Sequence, residues 1–242
     1  DNFTTLYDTA VFNSVEEYDS TTNLPGSDEN NYNGELRISA GYASATIISP
    51  NEKFTIVPGL RLESFHQKVS YNVININPND PGFREAQETF FLPSLNIKYN
   101  LEDTQNLRLA FSKTVSVPEF KEVAPFVYEG INERIGGNPD LLNDPSFSEV
   151  YNLDLKYEWF MSKDELLSFT GFFKQINNPV NLVIANDATG TQRYFRTGNK
   201  ASVYGAELEF KKSLLKNSDD DTQLSGGLNF SYMYTKQEYE PM

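Results

Sequence analysis

Residues 151–159 read Tyr151-Asn152-Leu153-Asp154-Leu155-Lys156-Tyr157-Glu158-Trp159. Tyr151, Leu153, Leu155, Tyr157 and Trp159 alternate with Asn152, Asp154, Lys156 and Glu158. A period of two puts the first set on one face of a β-strand and the second set on the other. The neighbouring segments repeat the pattern. Leu107, Leu109 and Phe111 oppose Arg108, Ala110 and Ser112. Tyr204, Ala206, Leu208 and Phe210 oppose Gly205, Glu207, Glu209 and Lys211. Leu224, Leu228, Phe230, Tyr232 and Tyr234 oppose Ser225, Asn229 and Ser231.

Working outward, alternation predicts eight strands, at about 35–48, 53–68, 89–99, 105–116, 147–160, 165–178, 200–212 and 223–237. Most are far longer than the common strand of about 5–6 residues. The links between them alternate in length. Short ones lie at 49–52, 100–104, 161–164 and 213–222, and long ones at about 69–88, 117–146 and 179–199. In an up-and-down meander every second link lies at the same end, so one end has tight turns and the other has long excursions. Outer-membrane barrels have that asymmetry. Phe54, Tyr99, Tyr157, Trp159, Phe160 and Phe210 crowd the short-turn ends, as an interfacial aromatic girdle would. Ordinary strand formers in a soluble sheet are the competing reading of these aromatics.

Composition fits a sheet with one wet face. Apolar residues are only 38%, yet there are 18 Phe and 14 Tyr, so the apolar surface is narrow and aromatic. No run approaches the 18 or so apolar residues of a membrane helix, whereas a barrel strand needs only about 9–11 residues. A net charge of −14 argues against nucleic acid and against a basic membrane-surface helix. With no Cys and only His66, a disulfide framework, a Cys nucleophile and a multi-His metal centre are all excluded. No catalytic constellation stands out. An enzyme, a metal and a cofactor are therefore not expected. Residues 1–33 hold seven acidic residues and no Lys or Arg, and read as a polar loop or disordered arm. The strands and loops occupy 34–242.

Residues 91–126 read FLPSLNIKYNLEDTQNLRLAFSKTVSVPEFKEVAPF. Leu92-Pro93-Ser94-Leu95, Leu107-Arg108-Leu109-Ala110 and Pro118-Glu119-Phe120 in this stretch resemble the barrel domain of TonB-dependent receptors, especially those of Bacteroidetes-type bacteria. Gly137-Asn138-Pro139-Asp140-Leu141, Asn152-Leu153-Asp154-Leu155, Gly171-Phe172-Phe173-Lys174 and Val203–Glu209 follow in the order that family shows. Val117 and Leu142-Asn143 depart from its usual pattern. The resemblance implies a 22-stranded antiparallel transmembrane barrel with a plug domain, in the bacterial outer membrane. Eight strands cannot close such a barrel, so the chain is expected to be a part of the wall, without the plug. Implied partners are outer-membrane lipids, the TonB system acting through the plug, a surface lipoprotein over the mouth, and a siderophore, glycan, peptide or cobalamin ligand. A small closed eight-stranded barrel with a structural or adhesion role, and a soluble carbohydrate-binding β-sandwich, are the alternatives.

Two residue sets are candidates for contact with solute. The 117–146 loop offers Phe126, Tyr128, Asn132, Arg134, Asn138 and Asp140, side chains suited to stacking and hydrogen bonding. The other reading is that they hold the loop's shape. The polar face offers Arg61, Glu63, Arg108, Asn152, Asp154, Lys156, Glu158, Glu207 and Glu209 as lumen-facing residues. These too have a plainer role, solvating the wall or pairing along it. Lys113 falls on the apolar face but near the loop end, where a cation is tolerated.

Overall fold

The structure is a computed structural model, and it describes residues 10–15, 31–73, 79–131, 133–184, 190–217 and 221–237. Its main element is one antiparallel sheet of ten strands. In chain order these are β1 (Ala10–Val15), β2 (Asn31–Ser44), β3 (Ile47–Ile48), β4 (Phe54–Asn72), β5 (Phe83–Glu102) and β6 (Gln105–Ser116). A long connection then carries a short helix α1 (Phe120–Val123), β7 (Val127–Glu129), β8 (Arg134–Gly136) and a 3-10 turn at Pro139–Leu142. β9 (Ser148–Ser162) and β10 (Glu165–Asn177) follow. After them come β11 (Val180–Ile184), β12 (Gln192–Arg196), β13 (Lys200–Lys216) and β14 (Thr222–Gln237).

The large sheet runs β1-β2-β4-β5-β6-β9-β10-β13-β14, with β3 paired to β4. Each long strand pairs with its predecessor and its successor, the meander that the alternating links demand. Among the described residues β1 and β14 do not pair with each other, so the sheet is open. That overturns the closed eight-stranded barrel. The single continuous wall also overturns the sandwich, which needs two sheets face to face. Among the described residues the other sheet, β11-β12-β8-β7, is built within the two long connections that follow β6 and β10.

Two expectations shift. Ala10–Val15, within the stretch read as loop or arm, form β1 and pair with Asn31–Leu36. The first long link shrinks to 73–82, because β4 and β5 extend well past their expected ends and pair from Phe54↔Tyr99 to Ser70↔Phe83.

Register sorts most of the wall's side chains, with Tyr42, Phe172 and Met233 as exceptions on the polar face. One row across the sheet is Phe54, Tyr99, Leu107, Tyr157, Phe169, Leu208 and Phe230. Another is Pro58, Leu95, Phe111, Leu153, Phe173, Tyr204 and Tyr234. This apolar face is open to the surroundings, with Phe91 at 56%, Phe169 at 52% and Tyr232 at 63% exposure. Along β4 the apolar band runs from Phe54 to Leu62. At about 3.4 Å per residue and a tilt of about 40°, it is roughly 20 Å tall. Beyond it the same face turns polar: His66 meets Glu85 at 2.7 Å, and Lys113 pairs with Glu149 and lies 5.5 Å from the Tyr151 ring centre. Phe54 stacks on Tyr99 at 4.4 Å, at the band's short-turn edge. Phe160 is the exception to the expected girdle, since alternation puts it on the opposite face from Trp159.

Burial is inverted relative to a water-soluble domain. Glu158 and Ser168, on the polar face, are buried, while most of the large apolar side chains of the wall are exposed. Among the described residues, the compact apolar cluster lies beyond the band at the loop end. There Phe65, Val69, Tyr71, Ala86 and Phe90, on the same face as the polar rows, are covered by Val123, Ala124, Phe126, Leu141, Leu142 and Phe147. The 117–147 connection is thus a shelf folded onto the polar side of β4 and β5.

Candidate functional site

The polar face is built by alternation alone. One row across it is Thr55, Lys98, Arg108, Lys156, Thr170, Glu207 and Ser231. The next row toward the short turns contains Asn106, Glu158, Ser168, Glu209 and Asn229. All nine polar-face candidates fall on this one face. Arg61 and Glu63 form their own pair at 2.9 Å. Glu158 accepts from Nε of Arg108 at 2.6 Å and lies 3.3 Å from Nζ of Lys156. Asn152 donates to Ser112 at 3.4 Å, and Ser168 donates to Glu209 at 3.5 Å.

Among the described residues, two grooves open over these polar rows. One of about 480 Å³ is lined by Asn96, Lys98, Arg108, Asp154, Lys156 and Glu207 among others. The other, of about 260 Å³, is lined by Ser168, Glu209, Asn229 and Ser231. Asn96 and Lys98 were missed as candidates. Ser94, Asn96 and Lys98 alternate with Leu95, Ile97 and Tyr99, and that signal was available in the sequence.

The shelf is held by the motifs that carry the family resemblance. Gly137 donates its N–H to the carbonyl of Phe126 at 2.9 Å, and Asn138 donates its own to Glu122 at 2.6 Å. The Asn138 side chain accepts from Asp140 N at 3.1 Å, starting the 3-10 turn, and donates to the Tyr194 carbonyl at 2.9 Å. Pro139 suits the first helical position, where no N–H is needed. The Pro118 carbonyl accepts from the buried Gln67 amide at 2.8 Å.

Arg196 ties the β11–β12 hairpin to this shelf. Its guanidinium donates to the carbonyls of Asn178 and Ser146, each at 2.5 Å, and to those of Leu141 at 3.3 Å and the Ser148 hydroxyl at 3.2 Å. Burial lowers its pKa, and the field of Glu122 opposes that. At the neighbouring link Asp80 accepts from Tyr71 and from Gly82 N, both at 2.9 Å, and from Arg84 at 2.8 Å. Burial pushes the Asp80 carboxyl up, but these donors outweigh it and hold its pKa below the ordinary value.

The loop candidates do not converge on one spot. Phe126 is buried, with its ring centre 5.3 Å from that of Tyr32. Asn138 is engaged in capping the turn and holding β12. Tyr128 packs half-buried against the cluster. Arg134 is exposed, and so is Asp140, 3.8 Å from Arg84. Asn132 lies outside the described residues.

Comparison with known proteins agrees with this geometry. Among curated proteins none matches. Solved structures that resemble the chain include the siderophore receptor PirA from Pseudomonas aeruginosa, with a TM-score of 0.52 and 14% identity over 85% of this chain and 41% of that one. The alcaligin outer-membrane receptor FauA from Bordetella pertussis gives 0.56 and 14%, over 88% of this chain and 32% of that one. The ferric-catecholate import receptor Fiu from K12 E. coli gives 0.56 and 17%, over 86% and 29%. The chain therefore spans less than half the length of each of these proteins. At such identities they establish the fold. The family described as TonB dependent receptor-like, beta-barrel matches residues 1–241. With an open meander, a lipid-height apolar band and this match, the chain belongs to the TonB-dependent receptor β-barrel family and forms part of a bacterial outer-membrane barrel wall.

Proposed function

We propose that the chain is wall and mouth of a receptor that takes up a ligand across the outer membrane by TonB-driven transport. The observation that carries this reading is the division of the sheet. One face presents an uninterrupted apolar band, while the other is polar and carries a folded shelf only at its loop end. Lipid accounts for the first face, and a water-filled lumen for the second.

In this reading ligand meets the mouth first, where Tyr128, Arg134 and Asp140 keep exposed surface. It then passes the polar rows from Asn152 to Glu209. Phe126 and Asn138 serve the mouth indirectly, by holding its shape. The TonB system would act through a plug domain, outer-membrane lipids would cover the apolar face, and a surface lipoprotein over the mouth is a further expected partner. The wall does no chemistry on its ligand.

The test is uptake. Cells lacking the receptor are compared with the parent strain for accumulation of siderophores, oligosaccharides, peptides and cobalamin. Iron chelates come first, since PirA is described as a siderophore receptor and Fiu as a ferric-catecholate import receptor. The expected result is loss of one ligand class, with the same loss when TonB is removed. Uptake that persists without TonB would refute the proposal.

A further inference from the structure

We infer that the β11–β12 hairpin is a strap at the mouth, fixed at its base and fastened reversibly to the shelf at its tip. β10 and β13 pair as far as Asn177↔Lys200, and the N–H of Asn178 then donates to the Asn199 carbonyl at 2.9 Å. At Asn178 the chain leaves the wall. Its φ of 53° lies in the left-handed region, which Asn tolerates better than most residues. The hairpin that follows pairs into the small sheet and not into the wall.

The two halves of the strap are held by different means. At the base, Val180 and Tyr194 pack against the apolar cluster. Arg196 beside them donates to Ser148, Asn178, Leu141 and Ser146. Alternation puts Leu182 and Ile184 on the same face as Val180. Yet they are 39% and 67% exposed. The apolar stripe of β11 is therefore seated at its base only.

Toward the tip, backbone pairing takes over. β12 meets β8 in a parallel ladder of two residue pairs, Gln192↔Ile135 and Arg193↔Gly136. Parallel pairing is slightly weaker per residue than the antiparallel pairing inside each hairpin. The Arg193 side chain lies along Gly136, where a Cβ would stand 3.2 Å from its Cγ. The Asn138 side chain adds one bond, to the Tyr194 carbonyl at 2.9 Å. Segments with few buried apolar contacts open locally at the lowest cost. Parting this ladder separates the two connections that frame the mouth, while β7–β8 and β11–β12 each stay paired. The movement stands on this geometry alone, and its use in admitting a solute rests on the uptake reading.

The experiment is hydrogen exchange on the whole receptor in lipid vesicles, with Ile135→Cys and Gln192→Cys introduced together. This chain has no cysteine of its own. The two positions are ladder partners, so oxidation locks strap to shelf. With the pair reduced, the amides of Arg134–Gly136 should exchange faster than those of β9 and β10. The disulfide should slow them at least tenfold, and reductant should restore the faster rate in the same sample. Leu182→Cys with Tyr194→Cys, partners inside the hairpin, should leave β8 exchange unchanged when oxidised. Exchange in β8 that ignores the lock overturns the inference. Equal slowing by the control pair overturns it too, because the hairpin would then be fraying and not parting from the shelf. A lock that never oxidises means that the ladder is absent, which also overturns it. Uptake that ignores TonB would sink the receptor reading while leaving these exchange outcomes intact.

Discussion

Gly137 lies against the backbone carbonyl of Ala124 so closely that a Cβ at position 137 has nowhere to go. The obstacle is main chain, and main chain can yield only by moving the shelf. Gly137→Ala should destabilise the folded receptor by about 1–3 kcal/mol. Gly34→Ala is the milder change, because the atoms it meets belong to the Phe120 ring, which can swing aside. Urea titration of both variants in vesicles checks the order. Equal loss at the two positions would mean that the shelf is not held where described.

The two faces of β9 and β10 should respond oppositely to charge. Leu155→Arg places a cation in the middle of the apolar band and should cost about 2–4 kcal/mol, with impaired membrane assembly. Thr170→Arg, on the polar face beside Lys156 and Glu207, should assemble normally. Heat-modifiable migration of membrane-extracted protein reads the difference. Comparable assembly of the two variants would reverse the face assignment.

Arg196 is the joint between the two long connections. Arg196→Gln loses hydrogen bonds to groups that remain buried, and should cost about 2–4 kcal/mol locally. Hydrogen exchange should rise together in the β11–β12 hairpin and the Pro139–Leu142 turn, while β9 and β10 stay protected. A rise confined to the hairpin would show that the shelf does not depend on this side chain.

Acid should loosen the turn around Asp80. The Asp80 carboxyl is held below its ordinary pKa by donors from Arg84, Gly82 and Tyr71, after burial has pushed the other way. A depressed folded pKa means that the ionised form favours the fold. Its contribution is complete above the unfolded carboxylate value and disappears as pH falls through the lower, folded one. Asp80→Asn should lower the melting temperature at neutral pH and flatten its fall on the acid side. An unchanged acid profile in this variant would exclude Asp80 from the effect.

The wall was legible in the sequence because lipid imposes a rule on every second residue, so Leu153, Leu155 and Tyr157 declare their face without help from tertiary contacts. The rule stops where the lipid stops. Residues 83–88, Phe-Arg-Glu-Ala-Gln-Glu, pair with 65–70 as regular strand, yet they read as loop because no apolar face is required there. The roles of the loop candidates are harder to read for a related reason. Phe126 and Asn138 are residue types that recognise ligands and equally fill cores and cap turns. Only their partners, Tyr32 and Tyr194, decide between those roles, and both are distant in the chain. Lys98 and Asn96 alternate with Leu95, Ile97 and Tyr99, so their face is legible by the same rule.

The shelf over β4 and β5 gives the molecule two unlike thermal behaviours. Opening the wall exchanges contact with lipid for contact with lipid, and so carries little change in heat capacity. Lifting the shelf wets Phe65, Phe90, Leu141 and Phe147, and carries the positive heat-capacity change of apolar hydration. Cooling weakens that attraction while leaving the strand ladders in place. The cluster under the shelf is therefore the part of the structure whose packing weakens on cooling.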